Sequence, residues 1–173
     1  MTEKLVGFLL GILGGIKSIP LGREIISFVI SMCPILELRG GILAARALGL
    51  NPIASFIICY IGNILPVPFI ILLIKGIINK LRNSKLNFLN KFVKWIDKKV
   101  EDKKGQIEKY GFWGLVLFIG IPLPGTGAWT GCLIAAMLDM DKKKSFIAAC
   151  IGVLMAGIIM SILSIGLFDG LLG

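Results

Sequence analysis

Apolar residues run along this chain in three long stretches that contain no Asp, Glu, Lys or Arg, at residues 47–74, 110–138 and 145–168. A helix of about 20 apolar residues is long enough to cross the hydrocarbon core of a bilayer, which is roughly 30 Å thick. Within this pattern, residues 52–74 and 145–168 are predicted to be transmembrane helices. We therefore expect an all-α integral membrane protein that forms a single membrane domain over residues 1–173.

Each predicted transmembrane helix follows an apolar segment that is broken near its middle. Residues 24–50 are divided at 34–41 by Pro-Ile-Leu-Glu-Leu-Arg-Gly-Gly, and residues 110–138 are divided at 122–127 by Pro-Leu-Pro-Gly-Thr-Gly. The arms beside each break have about ten residues and would extend roughly 15 Å as helices. Because such arms reach only the middle of a bilayer, each broken segment is predicted to be a helical hairpin.

The two halves of the chain resemble each other when the sequence is compared with itself at an offset of 90 residues. The ungapped alignment of residues 28–62 with 118–152 has 11 identities over 35 positions, whereas chance in so biased a composition would give roughly three or four. The matched prolines and glycines include Pro34 with Pro124, Gly41 with Gly131 and Gly62 with Gly152. We therefore predict two repeats, residues 23–74 and 110–168, joined by a linker at 79–109.

The positions of the basic residues favour one topology for the second hairpin. The linker at 79–109 contains ten Lys and Arg and four acidic residues, and so carries +6 of the total net charge of +9. The positive-inside rule places this linker in the cytoplasm. The three lysines at 142–144 would lie outside if residues 110–138 spanned the membrane, and they lie inside if those residues form a re-entrant hairpin. Re-entrance is the interpretation that the rule favours.

Re-entrant hairpins give each repeat a single crossing, so the second repeat has the opposite orientation to the first. Inverted repeats with broken helices recur in secondary transporters. Non-helical backbone at this depth is tolerated only where it is buried in protein or lines a polar cavity. The predicted fold is two inverted repeats, each a re-entrant helical hairpin followed by a transmembrane helix, joined by the basic linker.

Apolar residues recur at helical spacing within the linker, at Leu89, Phe92, Val93, Ile96 and Val100. Surrounded by lysines, they predict a basic amphipathic helix that lies on the inner membrane surface, with anionic lipids as partners. This helix would serve as a topology anchor or in lipid recognition, and the sequence favours the anchor. Residues 5–21 are short for a membrane span, and the pattern does not decide whether they cross.

Composition excludes several kinds of chemistry. Of the 173 residues, 56% are hydrophobic and none is His, so a His general base, a His metal ligand and a His-activated nucleophile are ruled out. The four cysteines are isolated and form no Cys-x-x-Cys pair, which is typical of packing residues. We expect no cofactor, no metal and no enzymatic activity. Because the basic charge is local, no nucleic-acid partner is expected.

Two ionisable residues, Glu37 and Arg39, lie at the break of the first hairpin, where a charge inside a membrane costs about a few kcal/mol unless it is paired or hydrated. Two positions apart, they would point to opposite sides of a regular helix, so we expect them to share a non-helical tip. Glu37 is interpreted as a proton- or cation-coupling carboxylate and Arg39 as an anion contact; alternatively the pair only closes the broken helix. Arg46, about 10 Å further along the same helix face, is a phosphate contact or an interfacial anchor.

The second break contains no charge, but a helix that begins there leaves backbone N–H groups free to bind an anion. Thr126 is predicted to be the N-cap of that helix, and Gly125 and Gly127 would allow a ligand or the facing hairpin to approach closely. Trp129 either lines the cavity or packs between helices. Together with Pro124, these residues are the candidate substrate-binding residues of the second hairpin.

The sequence Pro-Ile-Leu-Glu-Leu-Arg-Gly-Gly-Ile at 34–42 and the sequence Ile-Pro-Leu-Pro-Gly-Thr-Gly-Ala-Trp-Thr-Gly at 121–131 resemble the small multidrug export protein family of bacterial membrane proteins. The resemblance implies a multi-pass protein of the bacterial cell membrane and a role in drug efflux. The first hairpin resembles, more distantly, the DedA or VTT superfamily, whose members pair two re-entrant hairpins and include lipid translocators working with the proton gradient. That resemblance implies that Glu37 matches the acidic residue of the first DedA hairpin, whereas residues 110–138 lack the arginine that DedA proteins carry in the second.

The function predicted from these features is secondary transport, coupled to protons, of an anionic lipid or lipid phosphate. Proton-coupled efflux of small lipophilic cationic drugs is the alternative, although Arg39 would repel such a substrate. A non-transporting membrane scaffold or chaperone is the alternative of another class. The expected partners are membrane lipids, a lipid or small-molecule substrate and protons, and the sequence is compatible with a homo-oligomer.

Overall fold

A computed structural model describes residues 21–82, 87–123 and 125–172. These residues form helices and connecting turns without strands, which confirms the prediction of an all-α protein for the described part of the chain. In chain order the helices are α1 (Gly22–Met32), α2 (Glu37–Ala47), α3 (Pro52–Ile64), α4 (Val67–Arg82), α5 (Asn87–Gly120), α6 (Ala128–Met137) and α7 (Lys142–Leu172). Residues 5–21, for which the sequence left a membrane crossing open, lie outside the described residues except for the last.

Helices α1 and α2 form the first hairpin, and its break is shorter than the sequence indicates. Cys33 is extended (φ −68°, ψ 132°) because the proline that follows disfavours helical geometry. Helix α2 begins at Glu37, whose own backbone is left-handed (φ 50°), so the non-helical tip ends at Glu37 and Arg39 lies in the first helical turn. The physical reason is close packing, since a Cβ on Gly41 would lie 2.7 Å from the Ser31 Cβ. Glycines that disfavour a helix in isolation let α2 pack against α1 here.

Helices α3 and α4 form the first long apolar segment of the described chain, Pro52–Arg82, interrupted near Pro66. Its start is capped by Asn51, whose side chain accepts a hydrogen bond from the Ala54 backbone N–H at 2.8 Å. Helix α4 continues to Arg82, so residues 79–82, assigned to the linker from the sequence, belong to this helix. The other long apolar segment is Lys142–Leu167, and both are long and apolar enough to cross a membrane.

The linker and the first arm of the second hairpin form one long helix, α5, with a kink at Gly111 (φ 53°, ψ −123°). Before the kink, Val93, Ile96 and Val100 are buried in the same apolar core as Ile78 of α4. The predicted apolar face of the linker therefore packs, at these three positions, against the protein itself and not against the membrane surface. The side chains of Leu89 and Phe92 lie outside the described residues. Because α4 is long, α5 runs back along it. Helix α4 therefore covers the apolar face of α5 that the sequence assigned to lipid.

The second hairpin consists of α5 beyond the kink and α6, with the break at residues 121–127 between them. Its arms pack closely, because a Cβ on Gly131 would lie 2.7 Å from Cγ1 of Ile119. The turn after α6 passes through Asp139 in the left-handed region (φ 53°) before α7 begins. Helix α7 then packs against both hairpins and against α3.

The turns that leave the two hairpins have the same hydrogen bonds at an offset of 90 residues. Leu50 N–H donates to Ala45 O at 3.0 Å, and Met140 N–H donates to Ala135 O at 3.0 Å. The caps of the following helices correspond too, since Asn51 Oδ1 accepts from the Ala54 N–H and Asp141 Oδ1 accepts from the Lys144 N–H, each at 2.8 Å. The similarity found in the sequence at this offset thus corresponds to similar local geometry. These equivalent bonds lie within residues 45–55 of the first repeat and within residues 135–145 of the second.

The close approach of α3 to α1 depends on Gly62. A Cβ at this position would overlap Ser31 Oγ and lie 2.7 Å from the Phe28 carbonyl oxygen. We expect Gly62→Ala to lower the free energy of unfolding by about 1–3 kcal/mol, the usual cost of overpacking. Gly76→Ala is the matched control, because nothing lies within 4 Å of the added methyl group in α4. Thermal unfolding of both variants in one detergent measures the difference, and equal midpoints would contradict the predicted packing.

Candidate functional site

The breaks of the two hairpins face each other. We call the contact between residues 32–39 and residues 121–129 the tip interface. The indole N–H of Trp129 donates to the Met32 backbone carbonyl across it, at 3.1 Å. Further bonds across the interface are made by Glu37 and Arg39, each to the opposite hairpin. The two charged residues of the first break are therefore in contact with the uncharged second break.

The Glu37 carboxylate caps the N-terminus of α6. Its two oxygens accept hydrogen bonds from the backbone N–H groups of Ala128 and Trp129, each at 3.1 Å. These N–H groups have no partner within their own helix, and the helix dipole adds an attraction for negative charge. The N-cap of α6, Gly127, makes no side-chain cap bond of its own. Glu37 is only 6% exposed, so this capping occurs in the protein interior.

Gly127 makes room for that carboxylate. Its φ of 138° is one that residues with a side chain rarely adopt. A Cβ there would overlap the carboxylate oxygens and lie 2.6 Å from Cδ of Glu37. Gly125 also has a positive φ, 78°, but nothing lies within 4 Å of a Cβ added to it. The close approach predicted for the two glycines is thus made by the facing hairpin at Gly127.

Arg39 binds the other side of the second break. Its Nη1 donates to the Leu123 carbonyl at 2.7 Å, and its Nη2 donates to the Ile121 carbonyl at 3.3 Å and to Thr126 Oγ1 at 3.0 Å. These carbonyls follow the end of α5, where backbone oxygens have no helical donor. The guanidinium thus completes hydrogen bonding at a helix C-terminus, as basic residues commonly do.

Thr126 has a different role from the one that the sequence indicated. The N-cap of α6 is Gly127, one residue later. The Thr126 hydroxyl lies 2.8 Å from the Leu123 carbonyl and 3.0 Å from the Ile121 carbonyl, while it accepts a bond from Arg39. The reason is that Glu37 occupies the helix N-terminus, which leaves the threonine to bond within the break.

The remaining candidate residues are placed differently. Arg46 lies in the last turn of α2, where Nη1 donates to the Leu50 carbonyl at 3.0 Å, so it belongs to the exit of the hairpin and not to its tip. Trp129 lies in the first turn of α6, is partly buried and lines a cavity as well as packing against the first hairpin. Pro124 lies outside the described residues. A cluster of three or more His, Cys, Asp or Glu side chains that could hold a metal is not found among the described residues.

Sequence reasoning missed the partners of the two charges, because most of those described are backbone groups. They include the carbonyls of Ile121 and Leu123 and the N–H groups of Ala128 and Trp129, beside the Thr126 hydroxyl. The available signal was Pro122, since a proline ends a helix and the carbonyls of the break lie outside its regular hydrogen bonding. The proline indicates that backbone groups of the break require hydrogen-bond partners, but it does not indicate which residue supplies them.

A double-mutant cycle tests the capping of α6. We expect Glu37→Ala to lower the free energy of unfolding by about 0.5–2 kcal/mol, the usual cost of losing a helix cap. Gly127→Ala should be more destabilising in the native chain than in the Glu37→Ala background, because the methyl group collides with the carboxylate. Gly125→Ala is the control for backbone strain and should cost the same in both backgrounds. The contact is refuted if Gly127→Ala costs as much without Glu37 as with it.

The region that contains the tip interface matches a known protein family. The family model described as "Putative small multi-drug export protein" matches residues 37–159, which is more than half of the chain and includes both sides of the tip interface from Glu37 onward. No curated protein and no solved structure matches the chain significantly. The family description names an export function and not a class of enzyme. With its two long apolar helices, the chain is a membrane protein that belongs to the family of small multi-drug export proteins.

Proposed function

We propose that this protein is a multi-pass secondary transporter of the bacterial cell membrane, and that its two hairpins separate and rejoin at the tip interface during each transport cycle. The observation that carries the proposal is the capping of α6 by Glu37, a carboxylate from the other hairpin. An internal helix N-terminus attracts anions, and here a protein side chain occupies it. A side chain that changes its charge can leave such a position, which makes the contact reversible.

Protonation of Glu37 is the proposed trigger for separation. An ionised carboxylate offers two oxygens to the Ala128 and Trp129 N–H groups and is attracted by the helix dipole. A protonated carboxyl group loses the charge, and one of its oxygens becomes a donor that faces another donor. Proton binding therefore weakens the tip interface, and proton release restores it. This cycle would couple hairpin movement to the proton gradient.

The substrate that this site favours is an anionic lipid or lipid phosphate. Once Glu37 is neutral, the N-terminus of α6 can bind another anion. Arg39 is the second contact, because a guanidinium binds phosphate through two parallel hydrogen bonds. Its present partners are neutral oxygens, two carbonyls and a hydroxyl, and a phosphate is a stronger acceptor than either. Phosphate would thus replace the contacts that hold the hairpins together.

A two-fold arrangement of the repeats is supported by contacts between residues 90 positions apart. Glu37 lies against Gly127, and the Tyr60 hydroxyl lies 3.3 Å from the Cys150 carbonyl. Equivalent residues of two repeats contact each other only near a symmetry axis. Arg39 and Trp129, also 90 positions apart, each donate a side-chain N–H to a carbonyl of the opposite tip. Such a relation is what inverted repeats that share a central site require.

Re-entrance of the second hairpin is supported by an ion pair between Lys75 and Asp139. Lys75 lies in the last part of α4, two turns before Arg82 and the linker, while Asp139 lies in the turn that follows α6. The ion pair brings this turn beside the end of α4, which favours a hairpin that returns to the linker side. The proposed topology is therefore one crossing in each repeat, with opposite orientations.

Lipid transport in vesicles tests the proposed function. Protein reconstituted with a labelled lipid phosphate should move it faster when a pH gradient is imposed. Glu37→Gln should abolish the response to the gradient, because an amide cannot take up the proton. Glu24→Gln is the matched control, since Glu24 is an acid of the same hairpin in the first turn of α1, far along the helix from the tip. Equal movement by the native protein and Glu37→Gln would refute proton coupling.

Proton-coupled efflux of a lipophilic cation is the second candidate, and the family description, which names multi-drug export, is compatible with it. A cation at Glu37 would have to displace two backbone N–H groups and would face Arg39, which disfavours its binding. Growth of overexpressing cells on cationic dyes separates the two candidates. Resistance that is lost in Glu37→Gln and kept in Arg39→Gln would favour drug efflux.

A non-transporting scaffold or chaperone is the alternative of another class. It would retain the tip interface permanently, and the burial of Glu37 is compatible with it. The two classes differ in whether the hairpins separate. A disulfide engineered across the tips would stop a transporter and leave a scaffold unaffected.

The proposed topology has its own test, with single cysteines placed at Lys104, Lys143 and Asn51 after the four native cysteines are replaced. A thiol reagent that cannot cross the membrane should label position 51 from outside intact cells and leave positions 104 and 143 unlabelled. Permeabilised cells provide the control, because all three positions should then react. Labelling of position 143 but not 104 from outside would mean that the second hairpin spans the membrane, and the inverted arrangement would have to be abandoned.

A further inference from the structure

A cavity of about 340 Å³ lies between α4, α6, the linker part of α5 and the break of the first hairpin. Its lining is almost wholly apolar, with Ile74 and Leu81 from α4, Ile96 from α5 and Trp129 from α6. An apolar cavity of this kind excludes water and accepts apolar groups. Its volume is within the range of small-molecule binding sites.

One end of this cavity adjoins the tip interface. Trp129 lines the cavity with its side chain, and its backbone N–H is one of the two groups that Glu37 caps. Pro34, in the break of the first hairpin, is also part of the lining. A molecule in the cavity therefore contacts residues on both sides of the interface.

A polar recess between the same two helices, α4 and α5, is lined by sequence neighbours of two cavity residues. Leu81 and Ile96 line the cavity, and the residues that follow them in sequence, Arg82 and Asp97, line the recess together with Lys94. Arg82 and Asp97 form an ion pair at 2.7 Å, which leaves the charge of Lys94 as the excess in the recess. The linker as a whole carries a net charge of +6 between residues 79 and 109. This charge is complementary to a phosphate group.

We propose that the cavity binds one hydrocarbon chain of a phosphate-bearing membrane lipid, with the phosphate held at Lys94 and Arg82. The apolar lining suits an acyl or prenyl chain, and the adjacent cations suit the head group. The assignment rests on the proposed function in taking this lipid as the transported molecule. It then locates where the lipid binds from the linker side, before its phosphate reaches Arg39. A soluble phosphate lacks the hydrocarbon chain, and a zwitterionic lipid has a chain and a phosphate but lacks the net negative charge that attracts the head group to this basic recess.

Fluorescence quenching of Trp129 measures this binding directly. In a Trp95→Phe and Trp113→Phe background in detergent, Trp129 is the remaining tryptophan of the three. Lysophosphatidic acid with a brominated chain should quench its fluorescence at saturable concentrations, whereas brominated lysophosphatidylcholine should bind at least several-fold more weakly. Inorganic phosphate should not compete. Competition by an unlabelled prenyl phosphate or by unlabelled phosphatidic acid shows which chain the cavity prefers.

Matched variants separate the head-group and chain contacts. Lys94→Gln should weaken binding about fivefold, the usual effect of one lysine on an anionic lipid surface. Lys98→Gln, an exposed lysine one helical turn further along α5 that does not line the recess, should leave binding unchanged. Ile74→Phe should reduce quenching by filling the cavity, and Leu154→Phe on the exposed face of α7 should not. If Ile74→Phe does not fold, the comparison of Lys94→Gln with Lys98→Gln still tests the site.

Equal quenching by the zwitterionic lipid, or equal effects of Lys94→Gln and Lys98→Gln, would overturn the site. Failure of this binding site can be distinguished from failure of the proposed transport function. Saturable binding with the predicted pattern, but no movement of lipid in vesicles, would retain the site and refute transport. Lipid movement that Lys94→Gln and Ile74→Phe leave unchanged would retain transport and refute this site.

Discussion

A helix that begins in the interior of a membrane protein leaves backbone N–H groups without water or helical carbonyls to bond. Helix α6 begins in this way, and Glu37 supplies the missing acceptors from the opposite hairpin. An unsatisfied buried donor costs about 1–3 kcal/mol, so this arrangement removes a penalty at two positions at once. The glycine at 127 is needed because the carboxylate occupies the space of a side chain. This contact joins the breaks of the two hairpins.

The same constraint explains why the charges are confined to one hairpin. Arg39 satisfies carbonyls at the end of α5, while Glu37 satisfies N–H groups at the start of α6. One break therefore supplies side chains, and the other supplies the two ends of broken helices. Each charge meets the helix end whose dipole attracts it.

In the proposed transport cycle these contacts would break and form again. The contacts described above for Glu37 and Arg39 are to backbone groups and a hydroxyl. The linker adds a second element to this picture, because Val93, Ile96 and Val100 are buried in the same core as Ile78 of α4, while Lys94, Lys98 and Lys109 are exposed. The linker thus forms one wall of the apolar cavity that leads to the tips. Proton binding at Glu37 and lipid binding in that cavity would act on the same interface.

The sequence by itself determined the helical class, the two long apolar helices and the positions of the breaks, because these depend on local hydrophobic runs and on prolines that cannot continue a helix. It also identified Glu37 and Arg39, since a charge in an apolar segment is costly wherever it lies. It did not determine their partners, because backbone groups have no sequence signature and lie more than 80 residues away. The role of Thr126 and the burial of the linker face were likewise decided by tertiary structure. Each depends on which element occupies the adjacent space, and only the packing of α2 against α6 and of α5 against α4 fixes that.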